Sequence, residues 1–236
     1  MPEKGPIRIP SQRYEDDADI ISKTIEECKI AHQSNAYFNM AEPHMELQWK
    51  HIWPLIKRFN FTRVLEIAPG YGRNTERLLE HSREIHLVDV NQSCIDKCKA
   101  RFSDYQGKYK LYFYVNDGHS VPEIPSDYIT FIYSWDSMVH FDRLVMRDYI
   151  QEFGRTLTSG GAGFVHHSNY GRISQSSDWK SHPHCRSNMT KELFVNYCSE
   201  NELNVVFQKV FDWANPPEGT SNGLIPLRVH HSSPLL

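Results

Sequence analysis

TRVLEIAPGYGRNTERLLE, Thr62 to Glu80, decides the fold of this chain. Val64, Leu65 and Ile67 form a short apolar run bounded by turn residues, which suits a strand buried on both faces. Ala68, Pro69, Gly70, Tyr71 and Gly72 make a tight turn, and Asn74 or Thr75 is placed to cap a helix starting at Glu76. Strand, glycine turn and helix together form the geometry in which a nucleotide-like ligand crosses the carboxyl end of a parallel sheet. Glycine lets the backbone approach that ligand closely, because no Cβ intervenes.

The turn fits a pyrophosphate poorly. The dinucleotide pattern G-x-G-x-x-G needs a glycine where Thr75 stands, and Ala68 takes the place of an earlier one. Glu66 ends the strand. A carboxylate in the crevice repels a phosphate pair and suits a ligand with ammonium and sulfonium groups. Glu66-Ile67-Ala68-Pro69-Gly70-Tyr71-Gly72 resembles the E/D-x-G-x-G-x-G signature of class I S-adenosylmethionine (SAM)-dependent methyltransferases, with Ala68 replacing the first glycine. The resemblance implies SAM as methyl donor and S-adenosylhomocysteine as product. It also implies a doubly wound Rossmann-like α/β fold: a seven-stranded, mostly parallel sheet with an antiparallel terminal strand and an N-terminal helical lid.

The order of elements agrees with that expectation. Glu84 to Val90 reads as a second strand ending in Asp89. An acidic residue about twenty positions beyond such a turn is where a ribose is held, and a carboxylate accepts from both ribose hydroxyls better than a neutral group does. Val90 follows it in the crevice, and Asn91 is placed to cap a helix to Phe102. Lys110 to Val115 is a third strand. In the family an acidic or amide residue after it meets the adenine amino group, which makes Asp117 the candidate, with Gly118 giving backbone approach; an Asp-Gly turn is the plain alternative. Tyr128 to Ser134 is a fourth strand, and Ser134 and Trp135 at its end join the expected cofactor set. Asp142 to about Phe153 is a helix, Thr158 to Gly161 its turn, and Gly163 to His167 a fifth strand. A polar loop follows over 171–187, then a helix capped by Thr190 through Asn201. Leu203 to Trp213 and Leu224 to His230 read as two further strands.

The chain divides into an N-terminal helical cap, 1–58, and a SAM-binding domain, 59–236. Residues 1 to about 19 read as irregular. Asp19 to His32 and Glu46 to Arg58 read as helices, the second kinked or broken at Pro54. The aromatics and amides between them suit a cover over a cleft, and packing on the sheet edge is the alternative.

In the family, the end of the fourth strand faces the transferable methyl. Asp136, His140, His166, His167, His182 and His184 lie on that side. A hydroxyl acceptor needs a base, whereas an amine needs only to be neutral. Strand alternation lets one of His166 and His167 point inward, and His167, nearer the strand end, is favoured. The expected catalytic set is His140 or His167 as base with Asp136 as partner or substrate contact. A divalent ion on Asp136, His140 and His167 is the less favoured alternative, since no further carboxylates accompany them. FVHHSNYG and HPHCRSNMTKELF resemble segments of bacterial sugar or glycan methyltransferases. Arg186 there is a candidate contact for a substrate carboxylate or phosphate, or a surface ion pair. Tyr37, Phe38, Trp135, Tyr170 and Trp179 are candidate platforms for a sugar ring.

Composition narrows the function. The 236 residues carry a net charge of −3 with no basic cluster, so a nucleic-acid backbone is not the expected partner. No apolar run is long enough to span a membrane, and no signal-peptide core is present near Met1. Five cysteines without framework spacing point to free thiols in a reducing, cytoplasmic setting. Cys94 and Cys98 share a helix face but lack a matching second pair, so packing outweighs zinc. The expected activity is methyl transfer to the hydroxyl of a small substrate, a sugar or glycan. An N-methyltransferase and a non-catalytic partner subunit are the alternatives, and the oligomeric state is left open.

Overall fold

A computed structural model describes residues 12–32, 35–105, 107–211 and 222–229. Five strands lie parallel: β1 (Val64–Ile67), β2 (Glu84–Asp89), β3 (Lys110–Val115), β4 (Ile129–Ser134) and β5 (Leu157–His167). Three more, β6 (Leu203–Val205), β7 (Lys209–Phe211) and β8 (Asn222–Val229), complete a mixed sheet ordered β3-β2-β1-β4-β5-β8-β6. β8 runs antiparallel to β5 and pairs with both β6 and β7. The sheet therefore has eight strands rather than seven, five of them parallel. What reads in sequence as one strand over 203–213 is two short ones, each paired to β8. The connection from β7 to β8 over 212–221 lies outside the described residues.

Seven α-helices are described: α1 (Gln12–Ala31), α2 (Asn35–Ala41), α3 (Met45–Ile56), α4 (Arg73–Leu78), α5 (Gln92–Arg101), α6 (Arg143–Thr156) and α7 (Lys191–Glu200). The sheet is apolar on both faces and covered on both. Met45, Trp49, Ile52 and Ile56 of α3 join Leu78, Cys98 and Phe102 over the face presenting Val64, Ile85, Leu87 and Tyr133. Tyr149, Ile150 and Phe153 of α6 and Phe194 of α7 cover the face presenting Leu65, Ile67, Ile132 and Val165.

Several local readings change. Residues 12–19 are helical, whereas the irregular segment was expected to reach about 19; residues 1–11 lie outside the described residues. α3 runs through Pro54 to Ile56. The proline falls in the last turn, so only the bond to the Lys50 carbonyl is lost. α4 begins at Arg73, directly after Gly72, so Asn74 and Thr75 lie inside the helix instead of capping it. Both are buried and serve partners in the sheet: Thr75 donates to Glu66 at 2.6 Å, and Asn74 accepts from the Tyr133 hydroxyl at 3.1 Å. Thr158 to Gly161 is not a free turn. It is a bulge within β5, because the pairing jumps from Ile129–Leu157 to Phe131–Ala162. Thr190 caps α7 as expected, accepting from Leu193 N–H at 3.0 Å.

Gly70 has φ +58°, and a Cβ there would lie 2.6 Å from Cε1 of Phe38 in α2. At Gly118, φ is +93° and a Cβ would lie 2.7 Å from Ile25 of α1. The clearance assigned in sequence to a ligand is thus shared with the N-terminal helices. Gly70→Ala combines left-handed backbone strain of about 1–2 kcal/mol with displacement of Phe38. We expect it to lower the melting temperature by several degrees for a chain of this size, readable by calorimetry.

Candidate functional site

A cavity opens at the carboxyl edge of the parallel strands. Its floor is Ala68, Gly70, Val88, Asp89, Val90 and Gly118, and its roof comes from α1 and α2. Sequence alternation explains the roof. Ile21, Ile25 and Cys28 form one helical stripe, and Thr24 and His32 extend it, so α1 turns both apolar and hydrogen-bonding groups toward the sheet.

Asp89 is buried. Its carboxylate accepts from Asn91 N–H at 2.9 Å and Gly70 N–H at 3.2 Å. Val90 backbone N–H also bonds this carboxylate, which still retains unused lone-pair sites. Burial raises its pKa to about 6 against these hydrogen bonds, so it is ionised at neutral pH. A SAM ligand fits what the chain offers here: an ionised carboxylate with unused acceptor sites for a diol, and Ile25, Val88, Val90 and Cys94 as apolar walls for a flat base. Pro69 and Tyr71, with Ala68 and Gly70, line an adjoining recess of about 320 Å³ that Arg73, Asn74 and Trp135 also reach.

Other expected cofactor contacts are placed differently. Glu66 is fully buried and lines neither cavity; its carboxyl lies under the turn against Thr75. Burial pushes its pKa to about 8, so it is mostly neutral at pH 7 and supplies no acidic rim. Strand alternation sends it to the α4 face, opposite Leu65 and Ile67. Gly72 packs against Phe102 rather than the cavity. Asp117 is exposed and turned back onto its own loop, accepting from His119 N–H, Ser120 N–H and Ser120 Oγ; Gly118 alone of that pair lines the cavity. Ser134 is buried and ties β4 to β1 by donating to Ile67 O at 3.1 Å.

At the end of β4, Asp136 adopts φ +58° and lines the cavity. Its carboxylate accepts from Arg73 Nη2 at 2.9 Å and the Tyr37 hydroxyl at 3.2 Å. It does not orient a histidine through that carboxylate. Its backbone N–H donates instead to Nδ1 of His166 at 3.2 Å. His140 is held by the Cys185 carbonyl, 2.7 Å from its Nδ1. Because a carbonyl only accepts, Nδ1 carries the proton. Burial lowers the His140 pKa to about 4, so the ring is neutral.

His167 does not face this region. It stacks on Phe194 of α7 with centroids 4.4 Å apart, and its Nδ1 lies 2.6 Å from Ser168 O. His166 is the one on the Asp136 side, stacked on Trp135 at 4.4 Å. One residue does point each way, as alternation requires, but the inward one is the reverse of that expected, because β5 continues the Phe164 face into His166. Asp136, His140 and His167 therefore form no metal set, and among the described residues no group of three or more His, Cys, Asp or Glu is placed to hold a metal ion. Cys94 and Cys98 are buried free thiols. Arg186 is buried and interacts electrostatically with Asp136 and Tyr37. Trp179 is also buried, and Tyr170 packs on His182, so of the five candidate platforms Tyr37 and Phe38 line the main cavity and Trp135 lines the recess.

Sequence reasoning missed His32, Arg73 and Tyr149 as parts of the site. The one-face spacing 21, 25, 28, 32 in α1 was the available signal for His32. Nothing marked Arg73, whose second anchor is the Ala41 carbonyl at 2.9 Å.

Residues 64–161 match a family model described as a methyltransferase domain. No curated protein matches the chain. Among solved structures, a SAM-dependent methyltransferase from Leishmania major is similar at 12% identity and TM-score 0.66, over 88% of this chain and 82% of that one. The geranyl diphosphate C-methyltransferase of Streptomyces coelicolor A3(2), solved with Mg²⁺, geranyl diphosphate and S-adenosylhomocysteine, is 14% identical with TM-score 0.62, over 78% and 80%. A putative SAM-dependent methyltransferase from Listeria monocytogenes is 13% identical with TM-score 0.61, over 78% and 98%. Among the described residues no helix is long and apolar enough to cross a membrane. Residues 64–161 therefore match a methyltransferase domain, and the chain shares the Rossmann-like fold of SAM-dependent methyltransferases.

Proposed function

We propose that this chain is a methyltransferase with S-adenosylmethionine as its donor, acting on a hydroxyl group of a small substrate, a sugar or glycan end, beneath an N-terminal helical lid formed within residues 1–58. The observation that carries the reading is an imidazole on the cavity wall at the β4 edge: His32, its Nδ1 2.8 Å from the Cys28 carbonyl, packed 5.7 Å from the neutral ring of His140. A hydroxyl must lose its proton during attack and an amine need not be deprotonated by the enzyme in the same way, so neutral bases serve the first chemistry more. Tyr37 and Phe38 offer ring faces to a sugar.

When bound, SAM supplies a methyl group on a cationic sulfur. The chain's residues do the rest. Asp89 would accept from the ribose hydroxyls, Gly70 and Gly118 would let backbone approach the ligand, and Asp136, held by Arg73 and Tyr37, would set the acceptor edge. A labelled-methyl screen over glycosides, nucleotide sugars, amino sugars and simple amines, with and without Mg²⁺ and a chelator, tests the reading. Label on sugar hydroxyls, insensitive to chelator, is expected; transfer to amines alone would overturn it.

Asp89→Asn tests the ribose assignment. The amide keeps one acceptor but loses the charge, at about 1–3 kcal/mol for two charge-assisted bonds. S-adenosylhomocysteine affinity should fall about 10- to 100-fold by calorimetry. In the unmutated chain, affinity should weaken as pH falls through about 6, where Asp89 takes up a proton.

A further inference from the structure

His32, near the end of α1, stands on the wall of the main cavity together with Thr24, Ile25 and Cys28 of the same helix. Its ring is fixed from three directions. Nδ1 lies 2.8 Å from the Cys28 carbonyl one turn back, so Nδ1 carries the proton and Nε2 of the neutral ring keeps its lone pair. Tyr37 meets it edge-on, with centroids 5.5 Å apart at 84°. His140 packs against it at 5.7 Å. Tyr37 donates in turn to Asp136 at 3.2 Å, which puts His32 in the polar cluster at the carboxyl end of β4.

The cofactor-side carboxylate, Asp89, ends β2. β1 separates β2 from β4, so the two strand ends are about 10 Å apart at ordinary strand spacing. One cavity spans both ends. Among the histidines considered, His140 does not line the cavity. His166 accepts at Nδ1 from Asp136 N–H, so in its neutral form Nε2 holds the proton and the ring offers no free lone pair for a second proton transfer. His167 faces α7. Among the described residues, His32 alone combines a place on the cavity wall with the tautomer a base requires.

The geometry points to His32 as the general base of methyl transfer, accepting the acceptor hydroxyl's proton at Nε2. This rests on the hydroxyl reading given under the proposed function. The step balances. The hydroxyl oxygen forms a bond to the methyl carbon as the carbon–sulfur bond breaks, and that bond's electron pair remains on sulfur. The hydroxyl proton passes to Nε2, leaving an imidazolium that returns it to solvent. The base thus arrives on the helix that roofs the cavity, not on the sheet edge.

The experiment uses the full chain with S-adenosylhomocysteine and the hydroxylated acceptors of the screen. Side-chain ¹⁵N NMR of the unmutated, S-adenosylhomocysteine-bound protein should show His32 protonated at Nδ1 and unprotonated at Nε2; a proton on Nε2 in the neutral ring would overturn the assignment without any variant. His32→Gln should bind S-adenosylhomocysteine within about threefold of the parent, keep the acceptor KM within a few-fold, and lose about 10²–10⁴ in kcat. Added imidazole should restore part of the rate to His32→Ala. Methylation of a hydroxyl at full rate by a folded His32→Gln sinks the base and leaves the hydroxyl reading standing. Transfer confined to amines, with His32→Gln unaffected, sinks both.

Discussion

The stability advantage of Glu66→Gln over the parent should grow between about pH 4.5 and pH 8 and reach several kcal/mol above pH 8. The cause is burial. Glu66 lies under the glycine turn and burial raises its pKa from 4.5 to about 8, opposed by the Thr75 hydrogen bond and by Arg73. A carboxyl raised in the folded state binds its proton there while the unfolded chain has released it. The unfolded state then holds fewer protons, so stability falls as pH climbs from about 4.5 to about 8 and is level beyond. At 1.36 kcal/mol per unit the upper bound is on the order of 5 kcal/mol. Glutamine has the same shape, carries no proton to lose, and still accepts from Thr75. Below pH 4.5 parent and variant should agree to within about 1 kcal/mol. Asp89, raised from 3.8 to about 6, and the buried His140 and His167, lowered from 6.5 to about 4, act with opposite signs in both proteins and cancel in the difference between variant and parent. Urea unfolding at half-unit pH steps reads the difference, and parallel curves across the range would refute the assignment. S-adenosylhomocysteine affinity at pH 7 should move by no more than a few-fold, because the neutral Glu66 lines no part of the cavity.

That result bears on how the chain can be read. The strand–turn–helix unit, the carboxylate ending β2 and the edge of β4 were visible because each is encoded locally, as an apolar run broken by turn residues or as a single charged residue at a strand end. The side a residue faces was harder. Glu66 and His167 both sit at strand ends, where one position's shift in register reverses the face, and the apolar runs of doubly covered strands carry no alternation to settle it. Asp117 was misread for another reason: a short carboxylate before Gly118 satisfies its own turn, a local contest that spacing does not register. The roof was the least legible part. Its contacts join residues far apart in sequence, such as Phe38 on Tyr71 with ring centroids 3.8 Å apart and Tyr37 donating to Asp136 at 3.2 Å. Only the α1 stripe ending in His32 gave a sequence trace of it.

Asp136→Asn should cost about 3–5 kcal/mol of stability, the range for removing one partner of a buried ion pair. Both side chains of the Arg73–Asp136 pair are largely out of water, at 10% and 13% exposure. Arg186, buried nearby, also interacts favourably with Asp136, so neutralising one carboxylate leaves two guanidinium groups close together with less counter-charge. Asparagine is the informative substitution. It tolerates the left-handed φ of +58° that Asp136 adopts, and it retains an acceptor for the Tyr37 hydroxyl, so the loss reads charge rather than backbone strain. At about 2–4 °C per kcal/mol for a chain of this length, the melting temperature should drop by roughly ten degrees. Arg73→Met alone leaves Asp136 buried without its cation and should cost a similar amount. The double variant should cost clearly less than the two added together, because no uncompensated charge of the pair remains. Strict additivity would mean that Arg73 and Asp136 act separately and that the tie between α2, the glycine turn and the end of β4 lies elsewhere. Since Tyr37 and Arg73 reach Asp136 from the roof and from the turn, the same variant should also loosen α2. Amide hydrogen exchange across 35–41 should then rise in Asp136→Asn while the strand amides of β1 and β4 keep the protection set by global unfolding.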